Sequence, residues 1–249
     1  MVQNIVHGTD KFDDMSVNYN SVAGYYDFLS RLVFGQSEIR AQVQLLASIR
    51  PGDRILIVGG GTGWILEKIA AIHSSGLSIT YVESSSHMMA RSKKRDCGQN
   101  QVSFIHLPIE QFATEERYDC ILTAFLFDNF SAAQASQVFR VLDPLLKTGG
   151  YWLFADFYLH KGHARFWQSI LLQSMYIAAR ILCKVEAQSL VDMEPVFADA
   201  HYRQLYSFFY YRQFIQSAVY QKKEVYHQQP SSPTSKADAK SPSTPNRLR

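Results

Sequence analysis

Five short apolar runs, residues 53–58, 77–83, 102–107, 118–124 and 151–157, punctuate the chain and are rich in β-branched and aromatic side chains. A continuous apolar run of this length reads as a strand buried on both faces. Between and before them lie stretches with helical spacing, residues 37–49, 64–74, 85–95 and 131–146, the last followed by Lys147-Thr-Gly-Gly150 as a helix stop. Alternation of strand and helix predicts an α/β fold in which a mostly parallel sheet is covered by helices. Residues 202–211 and 214–221 read either as a closing strand pair turning near Tyr211-Arg-Gln213 or as helix, because dense aromatics blur the period. Residues 166–185 form a largely apolar helical pattern interrupted by Gln168, Gln173, Ser174 and Arg180, too polar for a membrane span. That segment reads either as a core helix or as a lid near an acceptor site.

The first two strands frame the most specific signal. Arg54-Ile-Leu-Ile-Val runs into Gly59-Gly-Gly-Thr-Gly63 and a helix opening at Trp64, and the next strand ends at Glu83, twenty residues after Gly63. Glycines allow close backbone approach to a ligand, and the following helix offers free N–H groups. An acid at the end of the second strand can accept both hydroxyls of a ribose. This strand, turn, helix, strand and acid therefore predict a site for an adenosine. The frame is G-x-G-x-G, with Trp64 where a dinucleotide fingerprint needs its third glycine, which disfavours a nicotinamide oxidoreductase. No Gly-Lys-Ser/Thr follows the glycines, so a phosphate-binding loop is excluded and a cofactor without phosphates fits better.

Composition narrows the partners. At 249 residues and 47% hydrophobic content the chain suits one α/β domain over residues 1–227. The net charge of +3 resides in Lys236, Lys240, Arg247 and Arg249 set against Asp238, leaving the body balanced and arguing against a nucleic-acid surface. From residue 228 onward, prolines alternate with Ser, Thr and Lys, a composition expected to stay disordered. Cys97, Cys120 and Cys183 are few and scattered, which suggests neither a disulfide framework nor a metal site. No signal-peptide pattern opens the chain, and a cytoplasmic location is expected.

The glycine turn, Glu83, Phe104-Ile-His-Leu-Pro-Ile-Glu110, Tyr118-Asp-Cys-Ile-Leu122 and Leu142-Asp-Pro-Leu-Leu-Lys-Thr-Gly-Gly150, in this order, resemble class I S-adenosylmethionine-dependent methyltransferases. Tyr19-Asn-Ser-Val-Ala-Gly-Tyr-Tyr-Asp27 and Leu29-Ser-Arg-Leu-Val-Phe34 are similar to the N-terminal segment of the ubiquinone/menaquinone-biosynthesis C-methyltransferases. The resemblance implies a three-layer Rossmann-like fold with a seven-stranded, mostly parallel sheet and an antiparallel closing strand. It implies an N-terminal helical lid over residues 16–50 and a helical insertion over residues 158–200 near the acceptor. It places S-adenosyl-L-methionine against Gly59, Gly60, Gly61, Thr62 and Gly63, with Glu83 on the ribose and Ser84 and Met88 beside the adenine. By the same resemblance Ile109 packs on the adenine, Thr123, Ala124 and Phe125 flank the sulfonium end, and Tyr26 lies near the methionyl end. The chain departs from the family twice: Ile57 stands where an acid usually precedes the first glycine, and Pro108 stands where an Asp often receives the adenine amine. Glu110 either compensates from two residues away or simply starts a helix.

The implied reaction moves a methyl group to a small-molecule or lipid-like acceptor, with transient membrane contact if the acceptor is lipid-like. Alignment rather than a strong catalytic group does most of the work in such a transfer. Where the acceptor must lose a proton, Asp156 after the fifth strand is the leading catalytic candidate, and Asp128, His160 and His163 are others. Asp128 is also placed to cap a helix start, and His160 and His163 fit a solvated loop. The two departures leave a second reading open: a catalytically silent S-adenosylmethionine-binding partner or regulatory protein.

Overall fold

The computed structural model describes Phe34, residues 36–158 and residues 190–224. Helix α1 (Ser37–Leu45) continues as a 3-10 turn (Leu46–Ser48) and leads into β1 (Arg54–Val58), α2 (Trp64–Ile72), β2 (Ser75–Val82), α3 (Ser86–Ser92) and β3 (Gln99–Ile105). The second half holds β4 (Tyr118–Ala124), α4 (Ala132–Leu142), β5 (Leu146–Phe157), α5 (Glu194–Asp199), β6 (Tyr202–Tyr210) and β7 (Ile215–Lys222). The strands form one seven-stranded sheet in the order β3-β2-β1-β4-β5-β7-β6. β1 pairs in parallel with β2 and β4, β2 with β3, and β4 with β5, while β7 runs antiparallel to both β5 and β6.

Helices cover both faces, as the unbroken apolar strands require. On one face Ala41 and Leu45 of α1, Ile65, Leu66 and Ile69 of α2 and Met89 of α3 pack on Ile55, Ile57 and Leu122. On the other, Ala135, Val138, Phe139 and Leu142 of α4 and Phe197 of α5 pack on Leu56, Ile121 and Trp152. Trp152 anchors this second layer: its ring stacks on Phe139 at 5.0 Å and 7° and meets Phe197 edge-on at 5.1 Å. The Trp152 indole Nε1 donates to Thr123 Oγ1 at 2.9 Å, so the one polar atom of a fully buried ring is satisfied. On the first layer, Ser217 Oγ of β7 donates to the Ala41 carbonyl at 2.8 Å and ties α1 to the antiparallel end of the sheet.

Residues 202–222 form the strand pair β6–β7, so the helical alternative fails there. The turn holds Tyr211, Arg212 and Gln213 at φ of 46°, 53° and 65°. Alternate β7 residues pack on both faces of the sheet, Ile215 and Val219 with α1's layer and Ala218 and Tyr220 with α4's, which is how an aromatic-rich stretch is stabilised as strand. The expected helix over residues 131–146 is shorter: α4 ends at Leu142, and Asp143–Leu145 tightens into a 3-10 turn with Pro144 in it. Lys147-Thr-Gly-Gly150 does not stop a helix but opens β5, where the β4–β5 register shifts between Tyr118 and Cys120 and Gly149 takes φ of 78°. Asp128 is not the cap of α4. Ser131 is, with Gln134 in a reciprocal capping box. Of the expected helical insertion over residues 158–200, α5 is the described helix, and residues 159–189 lie outside the described residues together with His160 and His163.

Trp152→Ala removes the ring joining α4, α5 and the sheet and strands the Thr123 hydroxyl. Its unfolding free energy by urea titration is expected to fall by about 3–5 kcal/mol, with the m-value unchanged.

Candidate functional site

The chain leaves β1 toward β2 and β3 on one side and later adds β4 and β5 on the other, so the strand order reverses between β1 and β4. At such a switch point the loops after the two strands diverge and leave a crevice beyond their carboxyl ends. The turn Gly59–Gly63 follows β1 here, Glu83 directly follows β2, and the turn after β4 lies at the same end of the sheet.

Gly61 is the residue of the turn that a side chain would spoil most directly on the open side. Its φ is 61°, and a Cβ built on it meets nothing within 4 Å. Gly63, at φ of 75°, serves packing: a Cβ there would come 2.6 Å from the Cβ of Ser92 on α3. The turn is pinned at its base by Gly59 N–H to the Val82 carbonyl at 2.9 Å. Glu83 is 7% exposed, and its two oxygens accept from different segments, Oε2 from Gly61 N–H at 3.0 Å and Oε1 from Ser85 N–H at 2.8 Å. Burial pushes the Glu83 carboxyl above the usual carboxylate range, against the opposing pull of the Ser85, Gly61 and Ser84 amides. The sequence-predicted acid and glycine turn thus meet in one hydrogen-bonded unit.

The remaining predicted residues distribute around this unit. Ser85 caps α3 by accepting from Met88 N–H at 3.3 Å, which fixes Met88, buried, just past the β2 end. Ser84 is exposed, and its carbonyl meets His106 Nε2 at 2.9 Å. Ile109 is buried and opens a 3-10 turn (Ile109–Gln111) after β3, with Pro108 before it and Glu110 exposed in its first turn. Ile57 is fully buried in the core. The Thr123 side chain is committed to Trp152 and its backbone lies between Val58 of β1 and Phe154 of β5, whereas Ala124 ends β4 and Phe125 follows it. Phe125 holds φ of 52°, unusual for an aromatic residue, and its N–H donates to the Ala155 carbonyl at 2.8 Å. Asn129 Nδ2 donates to the Phe125 carbonyl at 3.0 Å and clamps the strained residue from the far side of its turn. Tyr26 lies outside the described residues.

Two carboxylates are buried at this end of the sheet, Asp128 in the turn after β4 and Asp156 next to the last residue of β5. Asp156 is 3% exposed, with Oδ1 accepting from Phe157 N–H at 2.8 Å and Oδ2 from Phe127 N–H at 3.0 Å. It therefore ties the end of β5 to the 3-10 turn (Phe127–Asn129) that follows β4. Asp128 is 6% exposed in that turn, and its Oδ1 accepts from Asn129 Nδ2 at 2.9 Å. Burial, then the charge of Glu38 on α1, pushes the Asp128 carboxyl up to about 7. Burial, then the charge of Asp128, pushes Asp156 well up despite its backbone donors. Like charges this close cannot both ionise freely, so the pair retains a proton near neutral pH. In the core layer beneath α1, Phe125, Phe157, Phe34 and Phe214 form a chain of ring contacts at 5.2 to 5.6 Å, with Tyr211 at 4.9 Å from Phe34. Sequence reading passed over Tyr81, whose hydroxyl donates to the Gly61 carbonyl at 2.9 Å. Its position two residues before Glu83 was the available signal.

Among the described residues no group of three or more His, Cys, Asp or Glu is placed to hold a metal ion, and no helix is long and apolar enough to cross a membrane. Residues 56–152 match the family model described as methyltransferase domain. The strand order above is that of a Rossmann-like α/β fold, and the matched segment is similar to a methyltransferase domain. The chain is 31% identical over 147 residues to the ubiquinone/menaquinone biosynthesis C-methyltransferase UbiE of Photorhabdus laumondii, covering 56% of this chain and 57% of that protein. It is 30% identical to the UbiE protein of Geotalea daltonii over 60% of this chain and 65% of the relative. The chain thus spans less than two thirds of the length of these relatives. In fold it is similar to the 1,6-didemethyltoxoflavin-N1-methyltransferase of Burkholderia thailandensis, solved with bound 1,6-didemethyltoxoflavin and S-adenosylhomocysteine. That likeness has a TM-score of 0.58 at 14% identity, over 90% of this chain and 94% of the other.

The carboxyl pair makes the protein's stability fall with rising pH. A folded-state pKa raised above the unfolded value stabilises fully below about pH 4 and is lost as pH climbs through about 7. Asp128→Asn keeps the acceptor for Asn129 and removes the charge. Urea midpoints compared at pH 5 and pH 8 are expected to drop less in this variant than in the wild type.

Proposed function

We propose that the protein is an S-adenosylmethionine-dependent methyltransferase acting on a small-molecule or lipid-like acceptor. The observation that carries this reading is the Glu83 carboxylate at the switch point, held between the Gly61 and Ser85 amides. Each of its oxygens has a second lone pair that a ribose hydroxyl fits, and the residue that it grips, Gly61, carries no side chain to block the approach. Thr62 is 4% exposed, and its N–H has no acceptor among the described residues, a donor suited to an oxygen of the ligand. These features fit a cofactor with a ribose and no phosphate. When bound, S-adenosylmethionine supplies an activated methyl group on sulfonium.

In this reading Glu83 orients the ribose, Gly59, Gly60, Gly61, Thr62 and Gly63 provide the turn beneath it, and Ser84, Met88, Ile109 and Glu110 surround the base. Thr123, Ala124 and Phe125 stand at the reacting end through the loop that Asp156 and Asn129 hold in place. Asp156 acts chiefly by fixing this loop, because both its oxygens already accept backbone amides. The Asp128 carboxyl, raised to about 7, has a capacity to take up or release a proton near neutral pH when the acceptor requires it. The partly exposed ring of Phe125 at the end of β4 accords with a flat, apolar acceptor, and similarity to quinone-biosynthesis C-methyltransferases supports the same class. A cytoplasmic site of action accords with this chemistry.

One observation favours a second reading, an S-adenosylmethionine-binding regulatory protein: Ile57 is sealed in the core where the family carries an acid. Release of S-adenosylhomocysteine together with a methylated acceptor separates the two readings in favour of the enzyme. Titration calorimetry tests the cofactor assignment itself. The wild type is expected to bind S-adenosylhomocysteine. Glu83→Ala loses charge-assisted bonds to the ribose, a cost of about 1.5–3 kcal/mol or roughly 10- to 150-fold in affinity. Absence of binding by the wild type at millimolar ligand contradicts the assignment.

A further inference from the structure

We propose that Tyr81 is a positioning residue for the cofactor turn, its hydroxyl holding the Gly61–Thr62 peptide so that the Thr62 N–H is presented to the ligand. The inference rests on the cofactor reading above and adds to it a residue that acts through the backbone. Tyr81 of β2 and Glu83, one residue past the strand's end, lie two residues apart and both reach the Gly61 backbone. Between them they hold both polar atoms of one residue: Glu83 Oε2 accepts the Gly61 N–H at 3.0 Å, and the Tyr81 hydroxyl donates to the Gly61 carbonyl at 2.9 Å.

Both bonds are needed because Gly61 lacks a Cβ, and the peptide on either side of it is free to rotate. Glu83 fixes the peptide before Gly61, and Tyr81 fixes the one after. A trans peptide is planar, with its C=O and N–H pointing in opposite directions. Drawing the Gly61 carbonyl toward Tyr81 consequently turns the Thr62 N–H away from Tyr81 and toward the open side of the turn. A donor fixed in this way need not be reoriented when an oxygen of the cofactor arrives.

The tyrosine is itself held rigidly. It is 0% exposed, and its ring packs on Phe104 at a centroid distance of 5.5 Å. A Cβ built on Gly60 would come within 2.4 Å of that ring, so the turn rests directly on it. Burial and the neighbouring Glu83 charge hold the phenol far above its ordinary range, which keeps it a donor at any working pH.

The test compares wild type, Tyr81→Phe and Tyr81→Leu by calorimetry with S-adenosylhomocysteine, ligand-free melting and 15N-edited spectra of the Thr62 amide. Tyr81→Phe keeps the ring and removes only the hydroxyl. It is expected to weaken S-adenosylhomocysteine binding by about 3- to 10-fold, with the ligand-free melting temperature within about 2 °C of wild type. The Thr62 amide is expected to give a single resonance in the wild type and to broaden or double in Tyr81→Phe. Wild-type affinity in Tyr81→Phe, with loss confined to Tyr81→Leu, assigns the effect to ring packing and overturns the proposal, as does an unchanged Thr62 resonance. If Tyr81→Phe does not fold, Gly60→Ala displaces the same hydroxyl from above: weakened binding supports the proposal and unchanged binding overturns it. A wild type that binds no S-adenosylhomocysteine removes the cofactor reading and the proposal together.

Discussion

A carboxylate buried at the end of a strand must find donors or give up its charge, and this requirement organises the crevice. Glu83 finds them in the Gly61 and Ser85 amides, one before and one after it in the chain. The first bond fixes the glycine turn against β2, and the second sets the entry to α3, where Ser85 takes over as the cap for Met88. One side chain thereby registers two loops against each other. The parallel pairing of β1 with β2, Val58 opposite Val82, places the turn and the acid at the same height and makes the contact available.

The two sides of the crevice are built on different principles. On the β1–β2 side the backbone itself is the recognition surface, and side chains such as Glu83 and Tyr81 act by aiming its amides. On the β4–β5 side, strain is stored and held: Phe125 sits in the left-handed region while Ala155, Asn129 and the Asp156 anchor keep its loop from relaxing. The buried Asp128–Asp156 pair puts a titrating group at the centre of this second side. A rigid glycine turn beside a protonatable end is an arrangement suited to methyl transfer, in which alignment supplies most of the rate and proton handling depends on the acceptor.

Much of this was legible in the sequence. The alternation of apolar runs with helical segments fixed the α/β class, and the residues 118–124 strand agrees at both ends with β4 because its turn signals are unambiguous. The glycine turn and Glu83 were readable because each is a local pattern at a fixed spacing. What escaped depends on contacts distant in sequence. Thr123 looks like a crevice residue by position, but Trp152, 29 residues on, claims its hydroxyl. Asp128 looks like a helix cap because Asp before a helix usually is one, yet the Ser131–Gln134 box was the stronger local device. The 3-10 turn and the early start of β5 at Leu146 were hidden because Lys-Thr-Gly-Gly terminates a helix as readily as it begins a bulged strand. Tyr81 was invisible as a site residue because a buried tyrosine in a strand ordinarily reads as core.

The central claim is that Glu83 joins the glycine turn to the ribose of an adenosine cofactor. The most direct measurement is a crystal structure of the protein with S-adenosylhomocysteine. The account predicts both ribose hydroxyls within hydrogen-bond distance of the Glu83 carboxylate, with the Gly61 N–H still bonded to it. A ligand bound elsewhere, or a ribose held by other residues while Glu83 keeps only its two backbone amides, would contradict it.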